Sequence, residues 1–270
     1  MKFTRWPRIA LAAAAIGALA STGALADISG SKHDLTSAGT GQGGTTATTE
    51  VCVFCHTPHG SNTNASAPLW NKTLPDGGSY TRYSNLGTAT LDGDETATVG
   101  SVSLACLSCH DGSQAMDVVW NAPGSGGYDS SGTQQIDGTA IGAMTGTPIP
   151  MLGTDLQNDH PIGIEYAGGS CTGTSAACTP TAATGDADFR TAQHATINGG
   201  SVWWVDTSVG TANVREKTDM ILYTQNFTGG SGPSVECGSC HDPHEASSTP
   251  VSFLRINNNN SNVCLACHIK

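Results

Sequence analysis

The stretch Cys52-Val53-Phe54-Cys55-His56-Thr57-Pro58-His59 decides how this chain is read. Its first five residues form Cys-x-x-Cys-His, and the pattern returns at Cys106–His110, Cys237–His241 and Cys264–His268. This spacing suits c-type haem: two thiols add to the two vinyl groups of one porphyrin, and the next histidine faces the iron. A single copy could serve as a redox dithiol or half a zinc site. Four copies, each with His directly after the second Cys, favour haem c at all four. The expected thioether cysteines are Cys52, Cys55, Cys106, Cys109, Cys237, Cys240, Cys264 and Cys267. The expected proximal iron ligands are His56, His110, His241 and His268.

Working outward, the same eight-residue form Cys-x-x-Cys-His-x-Pro-His recurs at Cys237–His244. Each copy is followed by a plain motif, so one dihaem module (around 52–110 and 237–268) is used twice, with residues 111–236 inserted between. His59 and His244 stand three residues after a proximal histidine. That is too short a span to wrap both faces of one haem, so each is expected to ligate an adjacent haem. Nine histidines are present, and a histidine on both sides of four irons needs eight. His33 and His160 complete the expected distal set with His59 and His244, leaving His194 as the spare. Met116, Met144, Met151 and Met220 share no common context and rank below the histidines as ligands.

The bulk composition agrees with a fold organised by cofactors. Only 37% of residues are hydrophobic and 34 are Gly, which is thin for a side-chain core in a chain of 270 residues. Haems are large apolar bodies that can replace many side chains. The expected fold is therefore mostly irregular, with short helices and a few short strands around a stacked chain of four haems, in one domain spanning 27–270. Val118–Trp120 and Ser201–Val205 read as β-like pieces, Val102–Leu107 as a short element, and Lys217–Thr224 as either helix or strand.

Residues 1–26 read as an export signal: Lys2, Arg5 and Arg8 precede the apolar run Ile9–Ala20, and Ala24-Leu25-Ala26 fits a cleavage site. Export places the chain in the periplasm or at the cell exterior. Cys171 and Cys178, outside the haem motifs, are then expected to form a disulfide, with free thiols as the alternative. The formal net charge is −11 and becomes more negative without the leader, which argues against nucleic acid as a partner. No segment after the leader reads as a stable membrane span.

The order of motifs carries a resemblance. Ser31-Lys32-His33-Asp34-Leu35, Cys52–His59, Ala67-Pro68-Leu69-Trp70-Asn71, Cys106–Asp111, Asn158-Asp159-His160-Pro161 and Cys237–His244 resemble the tetrahaem extracellular nanowire cytochromes of the OmcE type. The resemblance implies bis-histidine haems in a continuous chain. It also implies subunits polymerised head to tail, with one distal histidine supplied by the neighbouring subunit. His33, near the mature N-terminus, is the candidate for that crossing. The expected function is electron transfer rather than catalysis, with redox-partner cytochromes and extracellular acceptors as partners besides further copies of the chain. A monomeric periplasmic shuttle, or a multihaem reductase with one open iron, stands as the alternative. No Cys-x-x-Cys-Lys variant is present.

Overall fold

Two short alternating stretches rich in Trp, Val, Ile and Leu build the regular part of this molecule, and most of the rest is irregular. The computed structural model describes residues 28–124, 127–137, 141–146, 150–245 and 253–269, so the expected leader at 1–26 lies outside the described residues. Strands β1 (Val118–Val119) and β2 (Gln134–Gln135) form a small antiparallel pair. The larger sheet contains β3 (Ile164–Glu165), β4 (Ala192–Ile197), β5 (Gly200–Val205), β6 (Met220–Phe227) and β7 (Gly230–Val235). It is antiparallel, in the order β3-β7-β6-β5-β4.

The segment that reads as either helix or strand resolves as β6. Its buried residues Met220 and Leu222 sit two apart, the period of a strand, and face Val205 and Trp203 of β5. The β4–β5 hairpin turns at Asn198 (φ 50°) and Gly199 (φ 80°), two successive positive-φ positions of the kind a two-residue hairpin needs. One face of the sheet buries Trp203, Val205, Met220 and Leu222 with Tyr166, Ala192 and Ala266. The Cys171–Cys178 disulfide, with Cα atoms 5.8 Å apart, packs into the same cluster. The spare cysteines thus pair as expected.

Three short helices carry haem motifs: α1 (Ser101–His110), α2 (Cys237–Cys240) and α3 (Asn262–Cys267). Leu107 of α1 is fully buried against Tyr80, Val99 and Leu156, which anchors the helix that carries Cys106, Cys109 and His110. A separate cluster of Leu35, Val53, Phe54 and Met116 packs against Cys55 and Cys109. The Gly/Thr-rich stretch after His33 is tied down. Thr36 bridges Thr45, the buried Asp34 accepts from the N–H groups of Gly30 (2.8 Å) and Thr36 (2.9 Å), and Thr45 donates to Asp137 (2.5 Å). Short polar side chains that cap local backbone groups give a loop order without an apolar core.

Candidate functional site

Each Cys-x-x-Cys-His motif folds as one helical turn. The backbone N–H of the histidine donates to the carbonyl of the first cysteine in His56→Cys52 (2.8 Å), His241→Cys237 (3.0 Å) and His268→Cys264 (2.9 Å), and α1 contains the remaining motif. A turn of this kind puts positions i, i+3 and i+4 on one face. Both thiols and the imidazole then meet one edge of a flat ligand.

Three of these turns are closed by the same backbone clamp. His56 bridges Trp70, His241 bridges Leu254 and His268 bridges Phe189. In each, the second cysteine's carbonyl accepts from the residue after the bridging partner: Asn71 (2.9 Å), Arg255 (2.9 Å) and Arg190 (2.8 Å). The residue following the histidine donates back, Thr57 to Leu69 (2.9 Å), Asp242 to Phe253 (2.8 Å) and Ile269 to Asp188 (2.7 Å). In the two long-motif copies the clamp passes through a non-glycine residue at positive φ, Leu69 (54°) and Phe253 (67°). Strained backbone of this kind clusters where a site is over-determined. Of these clamp segments the sequence reading singled out only the stretch containing Trp70. Leu254, Phe253 and Phe189 carry no signal beyond being apolar, because their pairing is made only in three dimensions.

The ring nitrogens are arranged for metal ligation. The Nδ1 atoms of His56, His110 and His160 lie 2.7, 2.7 and 2.9 Å from the carbonyl oxygens of Pro68, Pro150 and Pro161, and His33 Nδ1 lies 3.4 Å from Pro243 O. Nδ1–H donating to a carbonyl fixes the tautomer and leaves Nε2 for a metal. His244 Nδ1 lies 3.4 Å from Asp242 Oδ1. Asp242 is held down to about 2, first by its bond to His244 and further by Arg255. Burial pushes His33 down to about 4, helped by His110, and also lowers His56 and His241. All three shifts favour the neutral, ligating imidazole.

Two histidine pairs face each other. The rings of His33 and His110 are 6.0 Å apart between centres, and those of His56 and His244 are also 6.0 Å apart. A metal–nitrogen bond of about 2 Å plus roughly 1 Å to the ring centre puts two imidazoles on opposite sides of one iron about 6 Å apart. These residues therefore fit a bis-histidine haem. His244, from the third motif, faces His56 of the first. The sequence reading sends His33 toward a neighbouring chain; in the structure its ring faces His110 of its own chain and stacks on Phe253 at 4.0 Å. His160 precedes β3 by four residues, and its ring Nδ1 is held by the carbonyl of Pro161. His59 is exposed, and its ring has no partner among the described residues. His268 packs against Phe189 at 4.3 Å. The spare histidine, His194, sits on β4 with Nε2 bonded to Ser201 Oγ at 2.8 Å. Met220 is buried in the sheet core and Met116 in the cluster around Phe54.

The thiols run in a row. Burial pushes Cys55 up to about 12, with Cys109 adding to the rise. Cys106 is raised chiefly by a thiol hydrogen bond to Cys237, and burial adds to it. Cys240 is pushed up to about 11 and Cys267 to about 12, each mainly by burial, with Cys264 contributing to the first and Cys240 to the second. Cys55 and Cys109 share one cluster, Ser103 of α1 accepts from the Cys237 N–H (2.9 Å), and Cys240 and Cys267 share another cluster, so successive motifs are neighbours. None of the eight motif cysteines is spent on a disulfide. Among the described residues no cluster of His, Cys, Asp and Glu is arranged to hold a bare metal ion, and no helix is long and apolar enough to cross a membrane.

No curated protein matches this chain. The doubled CXXCH motif family matches residues 231–270, a stretch that begins in β7 and takes in the third and fourth motifs. With the clamped turns and facing histidines, this match points to a multihaem c-type cytochrome, an electron-transfer protein with covalently bound haem c.

Proposed function

We propose that the chain binds four haem c groups as an electron conduit and polymerises head to tail into an extracellular filament, as in the OmcE-type family it resembles. The observation that carries this reading is the pair of 6.0 Å histidine couples, His33/His110 and His56/His244. Bound haem supplies a one-electron Fe(III)/Fe(II) couple without a substrate. The chain's part is to hold neutral imidazoles on both sides of each iron and to keep successive attachment turns in contact. His160 is assigned by elimination as the partner for His241.

That leaves His59 and His268, at opposite ends of the row of motifs. His59 lies beside the exposed Leu69 and Tyr128, and a Cβ on Gly60 (φ 62°) would meet the Tyr128 ring at 3.0 Å. His268 lies beside the exposed Leu265 and Ile269. Each end thus presents a histidine flanked by exposed apolar side chains. We assign the crossing ligand to His59, reaching the haem of His268 in the next subunit. A contact of this kind does not close on itself and generates a filament. It also replaces His33 in the role that the sequence suggests for it.

The test is electron microscopy and carbon-monoxide binding on secreted holoprotein. Wild type should form filaments with little CO binding. His59→Ala should give monomers with one CO-binding haem, while His33→Ala should open a haem without dissolving the filament. Filaments of His59→Ala with every haem six-coordinate would sink the assignment. CO binding by wild-type monomers would instead favour the second reading, a shuttle or reductase with the His268 iron open.

A further inference from the structure

Lys72 is fully buried, which is rare for a lysine. Its ammonium donates to three backbone carbonyls, those of Ala115 (3.3 Å), Met116 (3.1 Å) and Val118 (2.7 Å). No carboxylate among the described residues pairs with it. The nearest buried acid in sequence to those carbonyls, Asp117, turns one oxygen toward the N–H of Asp137 (3.5 Å), and its other oxygen has no hydrogen-bond partner. Lys72 follows Asn71, whose N–H clamps the carbonyl of Cys55 (2.9 Å). Cys55 and Cys109 in turn pack on one cluster with Phe54 and Met116.

We propose that Lys72 is a tuning residue that raises the reduction potential of the haem on Cys52 and Cys55, making this the site of the four that fills first. The inference rests on the haem reading above. Reduction there takes one electron from an adjacent reduced site and lowers the local charge by one unit. A buried cation in a medium of low dielectric favours the state with less positive charge. The three carbonyls hold the ammonium in place, so the bias is built into the fold and weakly screened by salt.

The experiment is redox titration of the secreted holoprotein, with haem content measured first. A wild-type count other than four per chain overturns the haem reading, a result separate from the tuning claim. Lys72→Gln retains donors but removes the charge. Its first site should shift about tenfold toward the oxidised form at fixed potential, which is about 59 mV for one electron, and Lys72→Arg should return it to the wild-type value. Fully loaded Lys72→Gln with unchanged midpoints would leave Lys72 a purely structural residue. If Lys72→Gln does not mature, the order of reduction in wild type decides, by haem-resolved paramagnetic NMR. Filling first at Cys52/Cys55 supports the proposal, and filling first elsewhere overturns it.

Discussion

The sheet that ends at Val235 and the segment from Cys52 to Lys72 hold themselves together by different means. The sheet uses side-chain mass: Trp203, Trp204, Val205, Met220 and Leu222 are all buried, and its backbone groups pair in ladders. Around the first motif the buried residues include Asn62, Asn71 and Lys72, whose side chains satisfy carbonyls of Lys72, Val53, Asn121, Ala115, Met116 and Val118. Where apolar side chains are scarce, polar clamps fix the backbone and the cofactor must supply the apolar bulk. The strongest way to break this contrast is to block attachment at the first motif. In Cys52→Ser/Cys55→Ser, amide exchange across residues 51–72 and 115–121 should accelerate on the order of a hundredfold or more, while β5, β6 and β7 keep their protection. Equal loss in both regions would show that one cooperative unit spans them.

The reverse perturbation attacks the sheet. Trp203 is 1% exposed, so Trp203→Ala should cost about 3–5 kcal/mol in denaturant unfolding of the sheet. The spectrum of the haems on the first two motifs should stay as in wild type. The junction between the regions is pH-sensitive. Glu236 is buried where α1 meets α2, accepting from Ser103 (2.5 Å) and Ser234 (2.9 Å). Burial pushes its carboxyl up to about 7. With the folded value above the ordinary one, its contribution is complete below pH 4.5 and is lost as pH rises through about 7. Glu236→Gln removes the penalty on the charged form. Its stability relative to wild type should therefore climb by about 3 kcal/mol between those limits, seen as diverging unfolding midpoints. A constant offset across that range would show that Glu236 does not titrate on unfolding.

The two regions also differed in legibility. The attachment turns could be read directly, because Cys-x-x-Cys-His encodes its own geometry within one helical turn. The histidine inventory was legible as a count, but the partners were not. His33 facing His110, and His244 facing His56, join positions far apart in the chain. The sheet was half visible: Ser201–Val205 reads as a strand, whereas β7 runs Gly230-Ser231-Gly232-Pro233-Ser234-Val235 and has almost no strand propensity of its own. It becomes a strand because β6 and β3 pair with it on both sides. The Asn198-Gly199 hairpin signal was available in the sequence. Lys72 was not legible as buried, since its acceptors are carbonyls more than forty residues away.

The smallest effects sharpen the contrast at single residues. Cys171→Ser/Cys178→Ser opens a short loop on the sheet cluster and should lower unfolding stability by about 2–3 kcal/mol, with haem content unchanged. His194 is the control for ligation. It shares the residue type of the eight proposed ligands, but its Nε2 is bonded to Ser201 on the surface and its ring leans on Trp203 at 4.4 Å. His194→Ala removes one exposed hydrogen bond and one ring edge, so stability should fall by about 0.5 kcal/mol or less. Haem count and haem spectra should be those of wild type. A new CO-binding haem in His194→Ala would mean that β4 carries a ligand after all. The sheet would then belong to the electron path, and the division between a side-chain-built region and a cofactor-built region would fail at that strand.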